Sequence, residues 1–239
     1  PLYLLAMGLL SACEDYVDVD LLGSQLTGVT VFEDRNTANA AMTEVYTKLR
    51  ETGFLSGTPQ GSSAAFGLYA DELTYFGGSG VSGQFLYLNA LLPSTGQVST
   101  MWNESYHQIY LANAVLQGVE QSASLTDAEK AQLRGEALFV RALVHFYLVN
   151  TFGDVPYITT TDYQQNSLVL RMPTERVYEK IANDLQEAAT LLPQDYYSAN
   201  RTRPNTFAAR ALLARTYLYM GLWAEAANEA SSVLNSALY

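Results

Sequence analysis

A chain of 239 residues can form one large domain or two ordinary ones, and a hydrophobic share of 49% is ample for a core. The net charge of −11, with only Lys48, Lys130 and Lys180 as lysines, argues against nucleic acid, because nothing would neutralise phosphates. One cysteine excludes an internal disulfide and a cysteine-based zinc cluster, whereas seventeen Tyr and nine Phe leave a surplus of aromatic rings.

Residues 2–10 are uncharged and mostly apolar, too short to cross a bilayer, which takes ~20 residues, but suited to the apolar region of a signal peptide. Leu10-Ser11-Ala12-Cys13 resembles a bacterial lipobox, a small-residue cleavage site followed by the cysteine that is acylated. The alternative is a buried strand ending in a free Cys13; the lipobox is favoured because the one cysteine falls where the apolar run stops. Cleavage would leave residues 1–12, expected to be a signal peptide truncated at its start, outside the fold. Residues 13–35 carry Glu14, Asp15, Asp18, Asp20, Glu33 and Asp34 against Arg35 and read as an acidic tether or strap.

Asn36 or Thr37 then caps a helix to about Arg50, with Ala38, Ala41, Met42, Val45, Tyr46 and Leu49 on one stripe. From Glu51 to Ser99 the helical period is lost, and glycines alternate with Phe54, Phe66, Tyr69, Tyr75, Phe76, Phe85 and Tyr87. Long loops in a domain are usually functional or disordered, and these aromatics argue against plain disorder. Phe76-Gly77-Gly78-Ser79-Gly80 lacks the Gly-Lys-Ser/Thr of a phosphate loop.

Helix resumes near Trp102, with Trp102, Tyr106, Ile109, Tyr110, Asn113 and Leu116 on one face, and ends about Glu120. Thr126-Asp127-Ala128-Glu129 is a capping box, and the helix it opens, apolar on most sides and therefore central, runs to about Thr151. Gly153 caps it and Pro156 prevents its renewal. After a non-helical connection to Met172, Thr174 is expected to cap a helix striped by Val177, Ile181, Leu185, Ala188 and Leu192 and stopped by Pro193. A polar linker follows over 193–204, carrying Tyr196, Tyr197, Arg201 and Arg203.

Arg210 to Val233 fits the tetratricopeptide pattern, with Leu213-Ala214, then Tyr217, Gly221 at the turn, and Trp223 and Ala226 opening the second helix; taken alone it fits any αα-hairpin with an Ala-rich seam equally well. Ala214 and Ala226 allow close helix approach, Tyr217 and Trp223 are expected to fill the space beside them, and Gly221 takes the turn. The pattern departs at Arg210, Ala230 and Val233. A lone hairpin cannot bury its own apolar face, so it needs neighbours, and the chain is expected to continue beyond Tyr239.

Taken together, the lipobox cysteine, the acidic segment, the helices 36–49 and 102–116, the run from Arg134-Gly135-Glu136-Ala137 to Phe152-Gly153-Asp154-Val155-Pro156, the 177–192 helix and the 211–226 repeat resemble the N-terminal half of the SusD/RagB family of outer-membrane nutrient-uptake lipoproteins. The resemblance implies an all-α body of tetratricopeptide-like helical hairpins with long irregular loops over residues 36–239, lipid-anchored at Cys13 on the cell surface. It implies a lid on a SusC-like TonB-dependent barrel that captures an oligosaccharide, binding without catalysis and without a cofactor. The RagB branch leaves a peptide ligand open, as does a plain tetratricopeptide scaffold.

Asp71, Glu72, Tyr75 and Phe76 are the first candidates for a ligand-facing cluster: rings stack on sugars and carboxylates take hydroxyls. The competing reading is that they fill the packing of a long loop. Tyr196 and Tyr197 are weaker candidates, and Trp102 reads as structural. A glycosidase pair at Asp71 and Glu72 is disfavoured because adjacent residues point apart. Glu104 and His107 share a helix face but lack a third metal ligand. His145, inside an apolar helix, reads as a hydrogen-bonded core residue, and Cys13 has no activating base beside it.

Overall fold

The helix opened by the capping box is the axis of the molecule. In the structure, a computed structural model that describes residues 30–236, α5 spans Asp127–Phe152. Thr126 Oγ1 accepts from Glu129 N and the Glu129 carboxylate accepts from Thr126 N, so both ends of the box are made. Gly153 ends α5 at φ +70°, a conformation that disfavours any β-carbon. Along its length Leu133, Leu138, Val140, Phe146 and Leu148 are buried, as its all-round apolar pattern requires.

The other helices build outward from it. They are α1 (Arg35–Glu51), α2 (Ser62–Tyr69), α3 (Ser82–Tyr87), α4 (Gly96–Gln121), α6 (Tyr163–Asn166), α7 (Thr174–Leu191), α8 (Thr206–Tyr219) and α9 (Trp223–Leu234). α4 and α7 flank α5, α8 lies on α7, and α9 on α8, while α1 covers α4 and α5. The body is therefore all-α, a stack of antiparallel neighbours each burying the stripe of the last. The expected stripe Val177, Ile181, Leu185, Ala188 and Leu192 is buried throughout.

Buried polar groups tie the stack together. Arg141 on α5 makes a two-pronged pair with Asp184 on α7 (Nε to Oδ2 at 2.7 Å, Nη2 to Oδ1 at 2.8 Å), and its Nη1 donates to Asn113 Oδ1 on α4 at 2.9 Å. Tyr157 Oη donates to the same Asp184 at 2.7 Å, and burial, then the Asp184 charge, push this phenol well above its ordinary range. A fully buried carboxylate, Glu136, accepts from Tyr46 Oη on α1 (2.7 Å), from the Gln132 amide and from Arg203 of the linker (3.4 Å). Every arm of these groups has a partner, the condition under which buried charge is tolerated.

The structure corrects several expectations. Asp34, rather than Asn36 or Thr37, caps α1, its carboxylate accepting from both of those N–H groups. The 51–99 region is not wholly irregular: α2 and α3 lie within it, and α4 starts at Gly96, ahead of Trp102. Thr174 is not the cap of α7; Pro173 occupies that position, and Asp154 reaches across to accept from Thr174 N (2.9 Å) and Oγ1 (3.0 Å). The 153–172 connection holds the single turn α6 and one antiparallel bridge, Val155 with Met172. Trp223 does not fill the α8–α9 seam. It is 67% exposed, while Ala226 and Leu213 are buried and Tyr217 is tied to α7 by the Gln186 amide, which donates to its hydroxyl at 2.6 Å.

Candidate functional site

At one end of the stack, α2, α3 and the start of α4 are joined by segments that glycines bend. α2 ends when Glu72 N and Leu73 N both donate to Gly67 O at 2.9 Å, a reversal that puts Asp71 at φ +60°. The Tyr75 ring then folds back, its hydroxyl donating to Gly78 O at 2.9 Å. A β-carbon on Gly77 would lie 2.2 Å from that hydroxyl oxygen, and one on Gly83, in the first turn of α3, 2.6 Å from ring Cε2. Gly80, at φ +78°, completes the turn and donates its N–H to Gln84 Oε1 at 2.6 Å. Between these two pins Phe76 is 92% exposed.

The segments enclose a cleft of about 730 Å³, within the range of sites for small ligands. Leu68, Leu73, Val81 and Leu86 supply apolar wall, Gln60, Thr74, Ser82, Gln97 and Thr100 supply neutral polar groups, and Tyr75 and Phe76 supply rings. The Gln97 amide donates to Gln60 O, bracing α4 against the loop before α2. None of the described residues lining the cleft is charged. Such a surface can stack on the apolar face of a sugar and exchange hydrogen bonds with its hydroxyls.

Of the four first candidates, the structure brings Tyr75 and Phe76 to the cleft, whereas Asp71 and Glu72 are exposed and outside its lining. Tyr196 and Tyr197 lie elsewhere. Tyr197 sits under the Arg203 guanidinium (4.8 Å) and donates to Asn39 Oδ1 at 3.4 Å, and Tyr196 is paired with Arg201 at 4.9 Å. Tyr197 also lines a separate hollow of about 540 Å³ with Arg35, Asn39 and Pro193. Cys13 lies outside the described residues.

A second, more aromatic groove of about 550 Å³ went unread in the sequence. Phe66, Tyr69, Tyr147, Phe152 and Tyr219 wall it, and it shares Leu86 and Gln97 with the first cleft. Arg215 lies 5.1 Å over Phe146 and 5.8 Å over Tyr219 at this groove. The available signal was Phe146-Tyr147 and Phe152 on a helix already too apolar for one stripe.

His145 belongs to the core. It is fully buried, stacked on Tyr157 with centroids 3.9 Å apart. Its Nε2 accepts from Ile158 N (3.4 Å), so Nδ1 carries the proton and donates to Arg141 O at 2.8 Å. Burial lowers its pKa to about 4, and the ring is neutral. Among the described residues, no three His, Cys, Asp or Glu side chains are placed to hold a metal ion.

A stacked helical-hairpin body with a ring-lined cleft among its loops defines a helical-repeat protein. The family model SusD-like_3, described as "Starch-binding associating with outer membrane", matches residues 78–218, more than half of the chain. The chain belongs to the SusD-like family. It is 33% identical over 175 residues to SusD-like protein P2 of Formosa agariphila, covering 71% of this chain and 34% of that protein. It is 30% identical over 128 residues to the starch-binding protein SusD of Bacteroides thetaiotaomicron, covering 50% of this chain and 22% of that one. A laminarin-binding SusD-like protein superposes with a TM-score of 0.70 at 26% identity, over 84% of this chain and 43% of the other. A SusD superfamily protein of Bacteroides vulgatus gives 0.72 at 23% identity, over 85% and 44%. The chain thus spans less than half the length of these relatives.

Proposed function

We propose that the complete protein is a cell-surface lipoprotein, acylated at Cys13, that captures oligosaccharides and delivers them to a SusC-like TonB-dependent transporter. The observation that carries this reading is the ring-lined, charge-free cleft at Tyr75 and Phe76, on a chain of this family. On this reading the protein binds glycan and does not hydrolyse it. No described helix is long and apolar enough to cross a membrane, and the attachment proposed is a lipid on Cys13.

Two experiments on the full-length protein test it. Radiolabelled palmitate should enter the protein and be lost on Cys13→Ala. Affinity electrophoresis in gels containing laminarin or soluble starch, the glucans bound by its relatives, should retard it. Absence of labelling removes the anchor, and free migration in both gels removes the glycan reading in favour of a peptide-binding or scaffold protein.

A further inference from the structure

Tyr75 and Phe76 are neighbours in the cleft but are held in opposite ways. The Tyr75 hydroxyl is spent on Gly78 O, and the Cε2–Cζ edge of its ring is closed by Gly77 and Gly83, two positions where any β-carbon would collide with it. The ring is thus a latch between the 75–80 loop and the first turn of α3. A second latch, Gly80 N to Gln84 Oε1, fastens the far side of the same loop to the same helix. Phe76 stands between the two, almost wholly in water. An exposed ring on a freely moving loop would lose conformational entropy on binding, whereas a ring on a loop fixed at both sides has lost it already, so more of the contact appears as affinity.

We infer that Tyr75 is a positioning residue, latched by Gly77 and Gly83, and that Phe76 is the ring it holds out to meet the ligand. The inference rests on the glycan-binding reading above for the role of Phe76. The latch itself is independent of any ligand.

The test uses the full-length protein with two readouts. In titrations with laminarin and soluble starch, Phe76→Ala should weaken binding on the order of tenfold or more, the scale of a hot-spot ring, with the melting temperature unchanged. Tyr75→Ala and Gly83→Ala should each weaken it too, and Tyr75→Phe less, since it keeps the ring and loses only the bond to Gly78. The double variant Tyr75→Ala/Phe76→Ala should bind no more weakly than Phe76→Ala alone, because Tyr75 acts through Phe76. In hydrogen exchange without ligand, Tyr75→Ala and Gly83→Ala should speed exchange at Gly80, and Phe76→Ala should not. Additive losses in the double variant would show that Tyr75 itself touches the ligand and overturn the assignment. So would Phe76→Ala that lowers the melting temperature with affinity intact, or exchange at Gly80 indifferent to Gly83→Ala. A wild-type protein that binds neither glucan removes the role of Phe76 along with the glycan reading, and exchange at Gly80 then decides the latch alone.

Discussion

Two regions of this molecule are ordered by opposite means. Where α4, α5 and α7 meet, the interior is polar and largely buried: Arg141, Asp184, Asn113, Tyr157 and His145 are joined by hydrogen bonds. Where the chain runs from Asp71 to Val81, nearly everything is exposed, and order comes from single contacts that glycines permit. Burial makes the first region costly to alter. The second can change its exposed ring without touching the core, which is the property expected of a surface that meets varied ligands on a constant frame.

The sharpest way to break the contrast is to remove one partner of the buried pair. Arg141→Ala or Asp184→Ala should destabilise by about 3–5 kcal/mol, because each strands a charge among apolar helices. Urea unfolding measures it, and a loss below about 1 kcal/mol, the value of a surface pair, would show that water reaches the junction.

Acid should find the same region next. The folded pKa of His145 lies near 4 against an ordinary 6.5, so between these values the unfolded chain binds a proton that the folded chain refuses. Stability should be full above about pH 6.5 and fall by up to roughly 3 kcal/mol as pH drops through the folded value. Glu136 tilts the other way: burial, the dominant cause, raises its carboxyl despite the donors around it, so its contribution is lost as pH rises and offsets part of the fall. Unfolding free energies across this interval should slope downward toward acid in the native protein and be flatter in His145→Gln.

Local backbone devices should matter less. Gly153→Ala forces a β-carbon into the φ +70° turn that ends α5, at about 1–3 kcal/mol, and Thr126→Ala removes the cap at its other end, at about 1 kcal/mol, both readable by thermal melts. At the bottom of the scale, Phe76→Ala should move stability by no more than about 0.5 kcal/mol, since the ring has little packing to lose. A larger loss would erase the distinction between the two regions.

What could be read from the chain alone follows the range of the interaction. The capping box at Thr126, the Gly153 stop, the stripe of α7 and the burial of His145 depend on residues a few positions apart or on one helix, and periodicity reveals them. The short helices α2 and α3 escape because eight and six residues rich in Gly and Ser carry too little periodic signal. Trp223 occupies a tetratricopeptide position, but a pattern states which residue belongs at a site and not which neighbour covers it. Asp154 capping α7 and Arg203 pairing with Glu136 join segments distant in sequence, and only the folded packing reveals them. At the cleft, the aromatic surplus in a Gly-rich stretch was visible, whereas the different surroundings of two adjacent rings depend on where Gly83 falls in space.

Arg203 reaches Asn39 across 164 residues, bonding its side-chain oxygen at 2.8 Å, and the Thr43 hydroxyl beyond it. The first helix and the linker before α8 are thereby clasped to one another, and to Glu136 in the middle of the body. Opening the linker leaves a buried carboxylate without its cation, and opening the first helix takes away its Tyr46 donor, so neither can peel away alone at low energy. A protease probing the molecule should therefore meet these two remote stretches as one cooperative unit, cut together or not at all.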